Sequence, residues 1–189
     1  MRTRLALVVV AVLVAGCTGR TGAVNDPTGP QQNAVGGLPA GVFATADREP
    51  APSLSGRTLA GEHLDVAGLR GQVVVVNFWA SWCAPCIAEA RNLTSVHAKT
   101  KASGVAFVGI DIKDNRTSAL SFERKHNVTY PSLFDPDGAL LLKFRGKAPQ
   151  SPPTTLILDR QGRVAARFLS AVTETELLIP VQALAREQA

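Results

Sequence analysis

The chain is poor in cysteine, with three in 189 residues. Three are too few for a disulfide-dense scaffold, and with no second Cys/His pair they cannot build a tetrahedral zinc site. Charge of one sign is also scarce: 20 Lys and Arg stand against 15 Asp and Glu. A strongly basic nucleic-acid stripe therefore has little support. No internal repeat is visible, and no long apolar run occurs beyond the extreme N-terminus. Apolar residues reach 46% and charged residues 19%, which suits a globular core and argues against wholesale disorder. The length allows one ordinary domain plus ends.

Arg2 and Arg4 precede an apolar run from Leu5 to Ala15, which is shorter than the roughly 20 residues a membrane-spanning helix needs. The run ends in Val14-Ala15-Gly16-Cys17, small residues before a cysteine, and it resembles a bacterial lipobox. That resemblance implies cleavage after residue 16, with Cys17 as the lipidated first mature residue. An uncleaved anchor and a conventional signal peptide are the alternatives. Loss of Arg2 and Arg4 would bring the net charge from +5 to about +3. The same reading makes the protein exported, with Cys83 and Cys86 left as one close pair in an oxidising compartment. Asn-x-Ser/Thr matches at Asn92, Asn115 and Asn127 carry no weight in a bacterial chain.

Residues 18–52 are rich in Gly and Pro and read as a flexible tether, with residues 53–189 as a single domain. Leu54 to Leu69 reads as a hairpin turning at Ala60-Gly61. Val73 to Trp79 is a β-branched run too apolar for an edge strand. A helix from Cys83 to Ala102, a strand from Val105 to Ile112 and a helix from Thr117 to His126 should follow. Tyr130 to Phe134 is extended, Gly138 to Phe144 has room for one or two helical turns, and Thr155–Leu158 with Val164–Leu169 reads as a hairpin. A last helix, Thr173 to Arg186, should be kinked or shortened by Pro180. The order implies an α/β fold with helices on both faces of a layered sheet.

The chemistry lies in Asn77-Phe78-Trp79-Ala80-Ser81-Trp82-Cys83-Ala84-Pro85-Cys86, where a central strand hands over to a helix. A cysteine at that junction meets unsatisfied N–H groups and the positive helix end, both favouring a thiolate. Cys83 should be the exposed nucleophile. Cys86, close to one turn on and deeper, can close a disulfide with it. Pro85 suits the first turn, where its missing N–H has no partner to lose. Such a dithiol attacks another disulfide and then resolves the mixed intermediate. Read blandly, a lone Cys-x-x-Cys is half a zinc site or a static bridge. His63, His97 and His126 are scattered along the chain and read as surface, as does Glu89.

The run resembles the active site of the thioredoxin superfamily, and in its flanks the membrane-tethered TlpA/ResA/DsbE-like group. That resemblance implies a thioredoxin-like fold, a central mixed β-sheet flanked by helices, with an N-terminal β-hairpin and a central strand-helix insertion. It implies a redox-active disulfide with no other cofactor and no metal. It also makes Pro153, in Ser151-Pro152-Pro153-Thr154-Thr155, the family's cis-proline, placing Pro152, Pro153 and Thr154 against an extended substrate with Trp82 shielding the site. Asn77 stands where thioredoxins carry a buried Asp, and an amide cannot act as a base. In ResA-like proteins an acidic residue from the inserted region sits near the dithiol, which makes Asp114 or Asp111 the candidate proton acceptor. The peroxiredoxin pattern Pro-x-x-x-Thr-x-x-Cys fails here at Val76 and Ala80, and a Sco-type Cys-x-x-x-Cys is one residue longer than this spacing.

The resemblance thus implies a lipid-anchored thiol-disulfide oxidoreductase on the extracytoplasmic face of the cell membrane, a reductase of the ResA type serving cytochrome c maturation. Its partners would be protein thiol/disulfide substrates such as apocytochrome c, with a CcdA/DsbD-like membrane electron donor and no nucleic acid. An extracytoplasmic oxidase is the first alternative. A tethered binding domain with a static bridge is the second.

Overall fold

The computed structural model describes residues 41–144 and 151–187. Strands β1 (Ser55–Arg57) and β2 (His63–Asp65) form the expected hairpin. The main sheet comprises β3 (Val73–Trp79), β4 (Val105–Ile112), β5 (Ser132–Asp135), β6 (Thr154–Leu158) and β7 (Val164–Phe168), in the order β5-β4-β3-β6-β7. Strands β3, β4 and β5 run parallel, whereas β6 and β7 are antiparallel to their neighbours. Every residue of β3 is buried, as its unbroken apolar run requires of a central strand.

Helices α1 (Ala84–Thr100), α2 (Arg116–His126) and α4 (Glu174–Arg186) pack on one face of the sheet. Val73 and Val75 meet Leu93 and Val96 of α1 and Leu177, Val181 and Leu184 of α4 there. Trp79 stacks on Phe122 of α2 at 4.4 Å between ring centroids. The opposite face is covered more thinly, by the single turn of α3 (Ala139–Leu142), Phe144 and the hairpin region with Leu54 and Val66.

Two expectations need correction. Pro180 does not shorten α4, which runs unbroken through it, because Leu177, Pro180, Val181 and Leu184 are all buried against the sheet. Tertiary packing outweighs the one hydrogen bond that proline removes. The domain also begins earlier than residue 53. Phe43 N–H donates to Ala165 O at 2.7 Å, Val164 N–H to Glu49 O at 2.8 Å and Ala51 N–H to Gly162 O at 3.0 Å. Residues 41–51 thus occupy backbone groups that edge strand β7 would otherwise leave open. Buried Arg48 fastens this segment with a bidentate pair to Glu187 (2.6 and 2.7 Å). The lipobox with Cys17, and the remainder of the expected tether, lie outside the described residues.

Candidate active site

Strand β3 ends at Trp79, the chain turns through Ala80 and Ser81, and α1 begins at Ala84 with Cys83 as its N-cap. The cap is made by sulfur: Cys86 N–H donates to Cys83 Sγ at 3.3 Å. Pro85 occupies the first turn of α1. Cys83 and Cys86 are joined in a disulfide, their Cα atoms 5.2 Å apart. Cys83 is not the open nucleophile its position suggested. It is 4% exposed and Cys86 1%, while Trp82 beside them is 58% exposed and Ile87 is exposed as well. The sulfurs sit beneath an apolar collar.

Register brings the Pro-Pro loop to the same end of the sheet. Thr154 pairs with Phe78 across β3 and β6, so Pro153 falls at the level of Trp79. The Pro152–Pro153 bond is cis, with Pro153 buried and Pro152 partly exposed. Thr154 differs from a substrate-facing residue, for its side chain is fully buried and its hydroxyl donates to Ser151 O at 3.1 Å. The whole residue, backbone included, is covered in this form.

Asn77 does not stand alone. Its Nδ2 donates to Glu89 Oε1 at 2.9 Å and to Thr155 Oγ1 at 3.0 Å, and Glu89 Oε2 accepts Val172 N–H at 3.0 Å. Glu89, expected on a solvated face, is 1% exposed. It lies one turn beyond Cys86 on the buried stripe of α1 formed by Cys86, Ala90, Leu93 and Val96. Asn77 and Cys86 line one narrow cavity with Tyr130. Burial pushes the Glu89 carboxyl up to about 7, against the opposing effect of the Val172 and Asn77 hydrogen bonds. A buried carboxyl poised near neutrality on the helix face of Cys86 is equipped to take and return a proton. Spacing held the signal: a Glu between Cys86 and Ala90 on an apolar stripe is out of place on a solvated face.

Of the two aspartates expected as proton acceptors, Asp111 belongs to β4 and Asp114 to the loop between β4 and α2. Asp114 is engaged by backbone, its Oδ2 accepting Ser81 N–H at 2.6 Å and its Oδ1 Asn115 N–H at 2.7 Å. Asp111 is fully buried within β4. Trp82 Nε1–H donates to Lys113 O at 2.9 Å. Gly109 keeps this corner open, because a Cβ there would lie 2.8 Å from Trp79 Nε1 and closer still to Ser132 Oγ. Asn92, Asn115 and Asn127 each have a structural task, bonding Val172 O, capping α2 at its start and closing it in a left-handed turn. No cluster able to hold a metal ion occurs among the described residues.

The AhpC/TSA family model matches residues 48–167, which spans the sheet, the dithiol and the Pro-Pro loop. The chain belongs to that family. Among curated relatives it is 25% identical to the thiol-disulfide oxidoreductase ResA of Bacillus cereus, over 72% of this chain and 80% of that protein. It is 38% identical to the thiol:disulfide interchange protein DsbE homolog of Paracoccus denitrificans, over 62% of this chain and 63% of that protein. The crystal structure of a secreted thiol-disulfide isomerase from Corynebacterium glutamicum superposes with a TM-score of 0.73 at 33% identity, covering 77% of this chain and 91% of that one. The fold is thioredoxin-like, a mixed sheet flanked by helices, and the chain is a thiol-disulfide oxidoreductase of the ResA/DsbE type. Its redox centre is its own cysteine pair.

Proposed function

We propose that this oxidoreductase is a reductase of the ResA type, held by a lipid on Cys17 at the extracytoplasmic face of the membrane. Among the described residues no helix is long and apolar enough to cross a membrane; the proposed attachment is through the cysteine of the lipobox-like run. In the dithiol form, Cys83 thiolate attacks one sulfur of a substrate disulfide. The Cys83–substrate bond forms and the second substrate sulfur leaves as a thiolate. Glu89 takes the proton of Cys86, whose thiolate attacks Cys83 Sγ, closing the Cys83–Cys86 disulfide and releasing the first substrate sulfur. Two electrons have passed to the substrate, and its thiolates take up two protons.

The observation that carries this reading is the covered Cys83–Cys86 disulfide with the Glu89 carboxyl buried one turn beyond Cys86 on the same helix face. Sulfurs this shielded react through a docked polypeptide, with Trp82 and Pro152 meeting the partner and the backbone around Pro153 and Thr154 pairing with it. The disulfide of apocytochrome c, reduced to its two thiols, is the proposed substrate, and a CcdA/DsbD-like membrane protein the proposed electron donor. The test is the reduction potential of the Cys83–Cys86 couple, equilibrated against dithiothreitol or glutathione. A value near or below about −250 mV supports the reductase, and one near about −120 mV replaces it with a disulfide-forming oxidase. In parallel, Cys86→Ser should accumulate a mixed disulfide through Cys83. A chain that traps nothing would return the site to a static bridge.

A further inference from the structure

A second buried carboxyl has no part in the exchange steps. Asp111 is fully buried, and neither of its oxygens accepts a hydrogen bond among the described residues. Its register neighbours are Trp79 on β3 and Phe134 on β5. The charges acting on it are all carboxylates: Asp114 from the loop between β4 and α2, Glu123 from α2, and Asp135 at the end of β5. β3 sets only the indole of Trp79 against it. Burial first, then these neighbours, push the Asp111 carboxyl up to about 8. A protonated carboxyl can donate where a carboxylate cannot, and Asp114 is the neighbour placed to accept.

Asp114 in turn holds the rim of the site. It accepts Ser81 N–H, while the preceding residue, Lys113, gives its carbonyl to the indole of Trp82. Lys113 does so from a left-handed conformation (φ 50°) unusual for a side chain of its kind. Two consecutive residues thus tie down both residues that precede Cys83. Asp114 is partly exposed. If Asp111 also becomes charged, two like charges in contact are relieved by Asp114 turning outward to water, off the Ser81 amide.

We propose that Asp111 and Asp114 form a one-proton latch on the Ser81–Trp82 rim: the shared proton holds Asp114 on the Ser81 amide, and its loss at alkaline pH frees Trp82. Both aspartates are positioning residues, acting on the dithiol through the rim. That the rim meets a partner rests on the exchange reading above, but the latch itself does not, and it is testable with no partner present.

The experiment uses the full chain in its disulfide form, in which neither Cys83 nor Cys86 titrates, with Cys17→Ser as a control for the remaining thiol, and follows the indole N–H resonance of Trp82 by nitrogen-15 NMR. The wild type should show one transition on the alkaline side of neutrality. Asp111→Asn should abolish it and fix the resonance at its low-pH position, because the amide still donates to Asp114 and cannot ionise. Asp114→Ala should hold the resonance at its high-pH position throughout. Glu89→Gln should leave the transition in place. A resonance that does not move, one that moves unchanged in Asp111→Asn, or one silenced by Glu89→Gln would overturn the latch. Should Asp111→Asn fail to fold, carboxyl carbon-13 titration of the wild type decides. An Asp111 signal that moves in the alkaline range supports the latch, and one that moves only in the ordinary carboxylate range refutes it.

Discussion

Replacing Glu89 with Gln probes the chemistry beneath Cys86 without asking for a substrate. In the folded chain this carboxyl is held at about 7, against an ordinary 4.5. Between those two values the folded state binds a proton that the unfolded state has released, so stability falls as pH rises. The contribution is fully present below 4.5 and gone above about 7. At about 1.4 kcal/mol per pH unit, the interval corresponds to about 3 kcal/mol. Gln carries no such dependence. Its carbonyl can keep the Val172 N–H, and its amide can meet Asn77 once the Asn77 amide is reversed, with the Thr155 hydroxyl then donating. Urea or thermal melts of the disulfide form, run in parallel from acid to mildly alkaline pH, isolate the effect, since Asp111 contributes equally to both proteins and cancels. The variant should gain about 3 kcal/mol on the wild type across the range, or roughly 6–12 °C in melting temperature for a domain of this size. A stability difference that stays flat with pH would refute the buried, proton-holding carboxyl, whatever its sign.

Other consequences follow from the same packing. Resolution of a mixed disulfide should slow about 10²-fold or more in Glu89→Gln, read by stopped-flow release of a labelled peptide thiol. Gly109→Ala forces a methyl between Trp79 and Ser132 and should cost about 1–3 kcal/mol, with a changed near-ultraviolet signal from the displaced indole. Arg48→Ala strips half-exposed Glu187 of its bidentate partner and removes a 3.5 Å contact with Asp159, which keeps Arg163 at 2.8 Å, for an expected loss of about 1–3 kcal/mol in denaturant melts. Because Arg48 fastens the segment along β7, the same variant should be cut by protease near residues 41–50 while the wild type resists.

Much of this architecture was legible because apolar patterning reports burial. Val105–Ile112 is a strand with the bounds its β-branched run suggested, and Cys83 announced the start of α1 through the proline two residues on. What escaped was carried by groups that leave no such pattern. Residues 41–51 bind β7 through backbone amides, which every residue possesses, and bury little beyond Arg48. Cys83 is covered because its neighbours close over it, a tertiary fact with no local signature. Glu89 escaped for a different reason: a charged residue is ordinarily read as solvated, and only its phase on the helix, three residues from Cys86 and one from Ala90, argues otherwise.

The position of Asn77 shows why that carboxyl is worth its cost. A buried acid on β3 itself would stand on a strand with apolar neighbours above and below, with only the sheet to hold it. Here the strand supplies an amide, and the acid is moved across to α1, where Asn77 and the Val172 amide meet one oxygen each. Two donors support the ionised form, while burial supports the neutral one, and the balance falls near neutrality rather than at either extreme. Substituting Asn77 with Asp would upset that balance, because two carboxyls would then face each other where one amide now donates. They would titrate as a pair, with one proton held far more tightly than Glu89 now holds its own. On the proposed mechanism, the amide at residue 77 leaves the proton site to the helix that carries both cysteines.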